Sequence, residues 1–256
     1  MKIAAWNVNS LKVRLPHLLD WLARVEPDVV CLQETKCEDA KFPAAEIAAA
    51  GYQWAHDGQK TYNGVAILSR TPISNVTRGI PGFGDLQKRL IAADVEGIRV
   101  ISAYVPNGQS VDSEKYAYKL AWLAALRDHL RDEVGRSARL AILGDFNIAP
   151  EDRDVHDPKA WEGQVLVSPK EREAFRALLA LGLTDSFRLF DQAEQSFSWW
   201  DYRQAAFRRN MGLRIDHILL TRELAGRCAA SCIDREPRKL ERPSDHAPVV
   251  AELRPA

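Results

Sequence analysis

The chain has 256 residues, 46% of them hydrophobic and 27% charged, an ordinary globular composition with apolar residues enough for a sizeable core. Lysine plus arginine and aspartate plus glutamate each number 35, so no global field pulls the protein toward nucleic acid or an anionic membrane. Four cysteines (Cys31, Cys37, Cys228, Cys232) match no standard zinc spacing, no charged-then-apolar leader opens the chain, and no apolar run approaches membrane-spanning length. A soluble, cytoplasmic protein with no membrane association is the expectation.

In chain order, a strand over Ile3–Val8 delivers Asn7 and Asn9 at its end, and a helix follows over Leu15–Val25. A strand over Asp28–Leu32 delivers Gln33 and Glu34, with a helix over Pro43–Ala50 behind it. Strands over Gly64–Ser69, Leu90–Val95 and Arg99–Val105 precede a long helix, Ser113–Val134. The strand Leu140–Gly144 delivers Asp145 and Asn147, and a long loop, Ile148–Pro169, follows. A helix over Lys170–Leu181 has Pro169 at its start and Gly182 after its end, which are the expected start and stop signals. Strands over Ile215–Leu220 and Pro248–Leu253 complete the chain. With no repeat, linker or low-complexity tract, residues 1–256 read as one α/β domain with a mixed sheet or a pair of sheets.

Three strands thus end in acids and amides, at the place where α/β sheets bind ligands. Each residue alone is also an ordinary turn former. Asp216 and His246 stand instead at strand beginnings, so all these groups converge only if those two strands run antiparallel to the others. Asp245 and His246 are sequence neighbours on extended chain and point to opposite faces, so Asp245 is badly placed to orient His246. Asp216 is expected to accept the Nδ1 proton of His246 and fix its tautomer. Hard oxygen donors (Glu34, Asp145, Asp216, Asp245) suit Mg²⁺, or Mn²⁺ in its place, meeting a substrate phosphate. No serine-hydrolase elbow, P-loop or zincin motif occurs. A carboxylate-bound cation, an Asp to activate water, and an Asn, Tyr104 and a His around a charged oxygen describe phosphodiester hydrolysis. From Arg203 to Pro243, ten Lys/Arg face five Asp/Glu, a local basic surface suited to a polyanion, or an ordinary solvated face.

The segments "WNVNSLK", "PDVVCLQETK", "YNGVAILS", "YVPNG", "GDFNIAP", "FSWWDYR", "GLRIDHILL" and "ERPSDHAPV" occur in order along nearly the whole chain. Together they resemble the exonuclease III family of abasic-site DNA endonucleases, within the DNase I-like phosphoesterase superfamily. The resemblance implies a four-layer α/β sandwich, two central mixed sheets flanked by helices, acting as a monomer on damaged double-stranded DNA. It implies Glu34 as principal Mg²⁺ ligand with Asn7 and Asp245 nearby, and an open question of a second metal near Asp145, Asn147 and His246. It implies Asp145 as the residue that activates water or protonates the leaving oxygen, and Asn147 as oxyanion stabiliser. His246, oriented by Asp216, touches the scissile phosphate in this picture, beside the catalytic Tyr104. Asn107 and Lys115 are implied as backbone contacts, Arg203, Arg208 and Arg209 as clamps on a kinked duplex. Trp199, Leu213 and Ile215 are implied as an apolar pocket for a flipped-out baseless sugar. Asn9 departs from the pattern, standing where some members carry Asp, and Leu166 and Val167 differ from the best-known bacterial members. The implied activity is incision on the 5′ side of abasic sites, with 3′-exonuclease and 3′-end-cleaning activity. A mainly 3′-acting enzyme, a superfamily phosphatase on a non-DNA substrate and a non-catalytic DNA-binding module are the alternatives.

Overall fold

Apolar runs such as Ile3–Trp6 and Leu140–Leu143 bury both faces of a strand, which only a sheet covered on both sides satisfies. The computed structural model describes residues 1–255; Ala256, the last residue of the expected domain, lies outside the described residues. The first half of the chain forms β1 (Lys2–Asn7), α1 (Leu11–Val25), β2 (Val29–Gln33), α2 (Ala44–Ala49), β3 (Gln53–Asp57), β4 (Val65–Ser69), β5 (Ser74–Arg78), β6 (Leu90–Val95), β7 (Ile98–Tyr104) and α3 (Glu114–Arg136). The second half forms β8 (Leu140–Asp145), α4 (Pro169–Leu179), β9 (Leu183–Asp185), β10 (Asp216–Thr221), α5 (Arg222–Arg227), β11 (Cys228–Ile233) and β12 (Val249–Leu253).

Two six-stranded mixed sheets result, ordered β11-β12-β1-β2-β4-β3 and β5-β6-β7-β8-β10-β9. Their inner faces pack on one another through residues such as Ile3, Cys31, Ile91, Val100, Leu143 and Ile218. Trp21, Leu18 and Ile47 of α1 and α2 cover the outer face of the first sheet. Trp122, Leu126, Phe175 and Leu178 of α3 and α4 cover the outer face of the second. This is the four-layer α/β sandwich.

Strand direction places the polar ends. Within the first sheet β1 and β2 run parallel and finish level, Asn7 beside Gln33, while β12 runs antiparallel to β1 and so begins at that edge. In the second, β7 and β8 run parallel and finish with Tyr104 beside Asp145. β10 runs antiparallel to β8 and begins with Asp216 opposite Asp145. The two strands expected to reverse do so, and all the acids and amides reach one edge of the sandwich. Gly144 is required there, because at its φ of 148° a Cβ would sit 2.0 Å from the Ala103 carbonyl oxygen.

Differences from the sequence reading are confined to the periphery. β3, β5, β9 and β11 were not expected; β3, β5, β9 and β11 are the four outermost strands of the two sheets. α1 begins a turn earlier than Leu15, with Pro16 inside it, because Ser10 at φ 89° turns the chain sharply just before Leu11.

Candidate active site

The edge where the two sheets meet holds a connected polar cluster. Asn7 sits between two acids, its Nδ2 donating to Glu34 Oε1 at 2.9 Å and to Asp145 Oδ2 at 2.9 Å. Its Oδ1 accepts from the Asn9 main chain at 3.0 Å, so the amide presents nitrogen, not oxygen, to the carboxylates. His246 Nδ1 bonds Asp216 Oδ2 at 2.9 Å, while its Nε2 lies 3.7 Å from Asp145 Oδ2. Ser198 Oγ accepts from the main-chain nitrogens of Ile215 and Asp216 and so fixes the start of β10. Ser244 Oγ donates to the Asn7 carbonyl at 2.7 Å and accepts from the His246 nitrogen, tying the two ends of the chain together. Glu34 and Asn147 both adopt left-handed backbone, φ 52° and 50°. Such conformations are disfavoured outside glycine and persist where surrounding contacts over-determine them.

Burial and charge act on each other here. Burial pushes the Asp145 carboxyl up to about 7, helped by Asp216 and opposed by the neighbouring His246. Burial works against charge on His246 too, but Asp216 and Asp145 outweigh it and raise the imidazole to about 10. Burial, then Glu34 and Asp145, push the Tyr104 hydroxyl well above its ordinary value, so it keeps its proton as a donor. Asp245 is also buried, yet His246, Trp199 and Asn9 hold its carboxyl below the ordinary range. Its Oδ2 accepts from Trp199 Nε1 at 3.0 Å and its Oδ1 from Asn9 Nδ2 at 2.9 Å.

Ligand atoms of Glu34, Asp145 and His246 lie within 4.8 Å of one another, spacing that fits a divalent cation held mainly by hard oxygens. Asp245 and Asp216 add negative charge around them. The chain matches the Endonuclease/Exonuclease/phosphatase family model over residues 4–246, a span from the first strand to His246. It is 40% identical to exodeoxyribonuclease III of Haemophilus influenzae, the match covering 99% of this chain and all of that one. A 3′-phosphatase from Neisseria, solved with a product DNA hairpin, superposes with a TM-score of 0.97 at 50% identity, covering 99% of both chains. An AP endonuclease from Archaeoglobus fulgidus superposes at 0.95 with 41% identity, again covering 99% of both. The chain belongs to the exonuclease III family. It is therefore a nuclease of a divalent-metal-dependent family, and the sheet edge carries an acidic cluster able to take such a cation.

The remaining residues implied by the exonuclease III resemblance divide into groups. Asn147 Nδ2 donates to Asp145 Oδ2 at 3.2 Å and to the Val105 carbonyl, and its Oδ1 accepts from Asn107 Nδ2 at 3.1 Å. Tyr104, Asn107 and Lys115 line an adjoining cleft of about 750 Å³ with Tyr62, Asn63, Arg89 and Tyr118. Trp199 is half-buried on Asp245, whereas Trp200 is wholly buried and packs against Phe207. Leu213 and Ile215 are 0% and 1% exposed and pack with Val155, Leu166 and Val167, so the expected apolar recess is filled by the protein itself. Leu166 closes that cluster from a left-handed backbone, φ 78°. Arg208 and Arg209 are exposed, and Arg203 is exposed but paired with Asp201 at 2.6 Å.

Two arginines counted toward the basic surface do not belong to it. Arg214 is buried between Asp154 at 2.6 Å and Asp185 at 2.8 Å, and Arg238 is buried against Tyr202, Trp200 and Phe207. Sequence reasoning also missed Lys36, whose Nζ lies 2.8 Å from Glu34 Oε2 and donates to Asn9 Oδ1 at 2.6 Å. The signal was present in "QETK", two residues beyond the acid, but a lysine after a strand reads as solvated surface.

Proposed function

We propose that this exonuclease III family member is a Mg²⁺-dependent DNA-repair phosphodiesterase, incising on the 5′ side of abasic sites and cleaning 3′ ends. The observation that carries this reading is the convergence of Glu34, Asp145 and His246 at one edge, with Asp216 behind the histidine. Glu34 and Asp145 would hold the cation, with Asp245 adjacent; bound there, it would neutralise phosphate charge and polarise the P–O bond. Asp145, buried at the sheet edge with His246 Nε2 3.7 Å away, takes the proton of attacking water or returns one to the leaving oxygen. His246, kept cationic by Asp216, donates to a phosphate oxygen, and Asn147 donates to the oxyanion from the other side. Tyr104, retaining its proton, donates beside them. Asn107, Lys115, Arg208 and Arg209 hold the DNA backbone, and Trp199 borders the reacting nucleotide.

A second reading makes the enzyme chiefly a 3′-phosphatase and 3′-exonuclease. Two observations favour it: Leu166 packs on Leu213 and Ile215, the residues that the resemblance gives to a baseless-sugar pocket, and a Neisseria 3′-phosphatase is among the similar solved structures. The free thiols, with Cys37 half-buried and Cys232 exposed, fit a reducing cytoplasm, and one catalytic unit working as a monomer completes the proposal. The test compares cleavage of an internal abasic duplex with release of phosphate from a 3′-phosphate nick, each with and without EDTA. Incision of the first supports the main reading; activity on the second alone selects the alternative; activity surviving EDTA on either removes the metal from the account.

A further inference from the structure

Lys119 projects inward from α3 and is fully buried, an unusual place for an ammonium. Its three protons meet three acceptors: the Asn147 carbonyl at 2.7 Å, the Asn107 carbonyl at 3.1 Å and the carboxylate of Glu171. Glu171, also fully buried, accepts from the main-chain nitrogens of Leu166 at 3.0 Å and Ser168 at 3.1 Å. Gly108 lies directly over the lysine stem, where a Cβ would come within 3.1 Å of Lys119 Cδ. The two asparagines arrive on different loops, and Asn147 holds left-handed backbone. Their side chains nevertheless meet, Asn107 Nδ2 donating to Asn147 Oδ1. Stability does not explain this lysine, because apolar replacement of a buried ion pair is often neutral or stabilising.

We propose that Lys119 is a positioning residue for phosphodiester cleavage: from beneath the site its ammonium sets the backbone of Asn107 and Asn147, and with it the angle at which their amides meet the scissile phosphate. Through Glu171 the same ion pair joins those asparagines to the Leu166 turn, which packs on Leu213 and Ile215. The inference rests on the function proposed above, in which both amides face phosphate.

The test is the double variant K119M/E171Q, which removes both charges and leaves no buried ion unpaired. Expected is a folded protein whose kcat falls about 100-fold on its DNA substrates with KM within about threefold, since a misplacement of about 1 Å in a catalytic group costs on that order. Glu133→Gln serves as the stability control: it breaks the pair with Arg99 at 2.7 Å, about four turns along α3 from Lys119. It is expected to lower thermal stability with kcat within about twofold. A folded double variant with kcat within about threefold of wild type overturns the proposal, as does an equal kcat loss in Glu133→Gln. If the double variant does not fold, Lys119→Arg keeps the charge but moves the donors, and a folded Lys119→Arg with wild-type kcat overturns it equally. Wild-type protein inactive on every DNA duplex sinks the functional reading; an active wild type with an equally active double variant sinks only this inference.

Discussion

Asp216 and His217 are sequence neighbours at the start of β10, and they serve two different polar clusters on opposite sides of the strand. Asp216 joins His246, Asp145 and Glu34 at the sheet edge. His217 joins Arg214, Asp154, Asp185 and Arg188 beneath the Ile148–Pro169 loop, with Arg214 NH1 at 3.0 Å from its Nδ1 and the Ile148 carbonyl at 2.9 Å from its Nε2. The second cluster is balanced: Asp154 and Asp185 face Arg188 and Arg214, and burial drives His217 down to about 3, so it stays neutral. The first is not. Among the described residues, Glu34, Asp145, Asp216 and Asp245 pair directly with His246 and Lys36 alone, while Lys119 and Arg238 act on Asp145 and Asp245 from farther off. A saturated interior cluster holds structure together; a cluster with an excess of acids suits a cation supplied from outside.

The largest effects should separate the two regions. Asp145→Asn is expected to lower kcat by about 10³-fold, the middle of the range for removing a general acid or base. Without metal it should raise stability by about 1 kcal/mol, because the strained carboxylate is gone. Single-turnover kinetics and a thermal melt check both parts, and a less stable variant with intact activity would reverse the assignment of this cluster. Asp154→Asn should do the opposite. It leaves Arg214 buried and short of a partner, at a cost of about 3–5 kcal/mol in unfolding free energy. Turnover per folded molecule should fall far less than in Asp145→Asn; urea titration alongside kcat tests this.

The balanced cluster also gives the pH dependence its sign. His217 has a folded pKa of about 3, below its ordinary 6.5, so between those values the unfolded chain takes up a proton that the folded chain refuses. Its contribution to stability is complete above about pH 6.5 and is lost progressively as pH falls toward about 3. His217→Gln should therefore flatten the acid limb of a plot of stability against pH, at some cost in stability at pH 7. An unchanged acid limb would show that other groups govern it. At the sheet edge, Glu34→Ala should raise the Mg²⁺ concentration for half-maximal rate by about tenfold or more, the scale seen when a metal site loses a supporting group. Identical metal titrations would remove Glu34 from the ligand set.

The contrast between clusters explains what was legible in the sequence. Central strands announce themselves by continuous apolar runs, and the polar groups that end them, Asn7, Glu34 and Asp145, stand out because nothing in a core calls for them. Edge strands carry no such signal: β11 reads "CAASCI", half exposed, and β5 reads "SNVTR", exposed along nearly its whole length, so only pairing with a neighbour defines them. Asp216 was legible as a partner once His246 was suspected. Arg214, two residues earlier, reads as surface charge in the sequence, because composition cannot tell a paired buried arginine from a solvated one. Lys119 hid in the same way, as one polar residue on a long amphipathic helix whose partners lie 12, 28 and 52 positions away.

The smallest effect concerns what remains of the basic surface once Arg214 and Arg238 are subtracted. Arg208 and Arg209 are exposed and adjacent, past the half-buried Trp199 that leans on Asp245. Among the described residues neither has a carboxylate within ion-pair distance, whereas Arg203 is engaged by Asp201. Two adjacent exposed guanidiniums serve a polyanion better than they serve folding. If each neutralises one phosphate, the double Arg208→Ala/Arg209→Ala variant should reduce the slope of log Kd against log salt by about 2. Stability should stay within about 0.5 kcal/mol, since both side chains are exposed. kcat at saturating DNA should be retained, because the loss is in holding the duplex and not in the reacting groups. An unchanged salt slope would return both arginines to ordinary solvated surface and leave the Asn107–Lys115 cleft as the DNA-holding face.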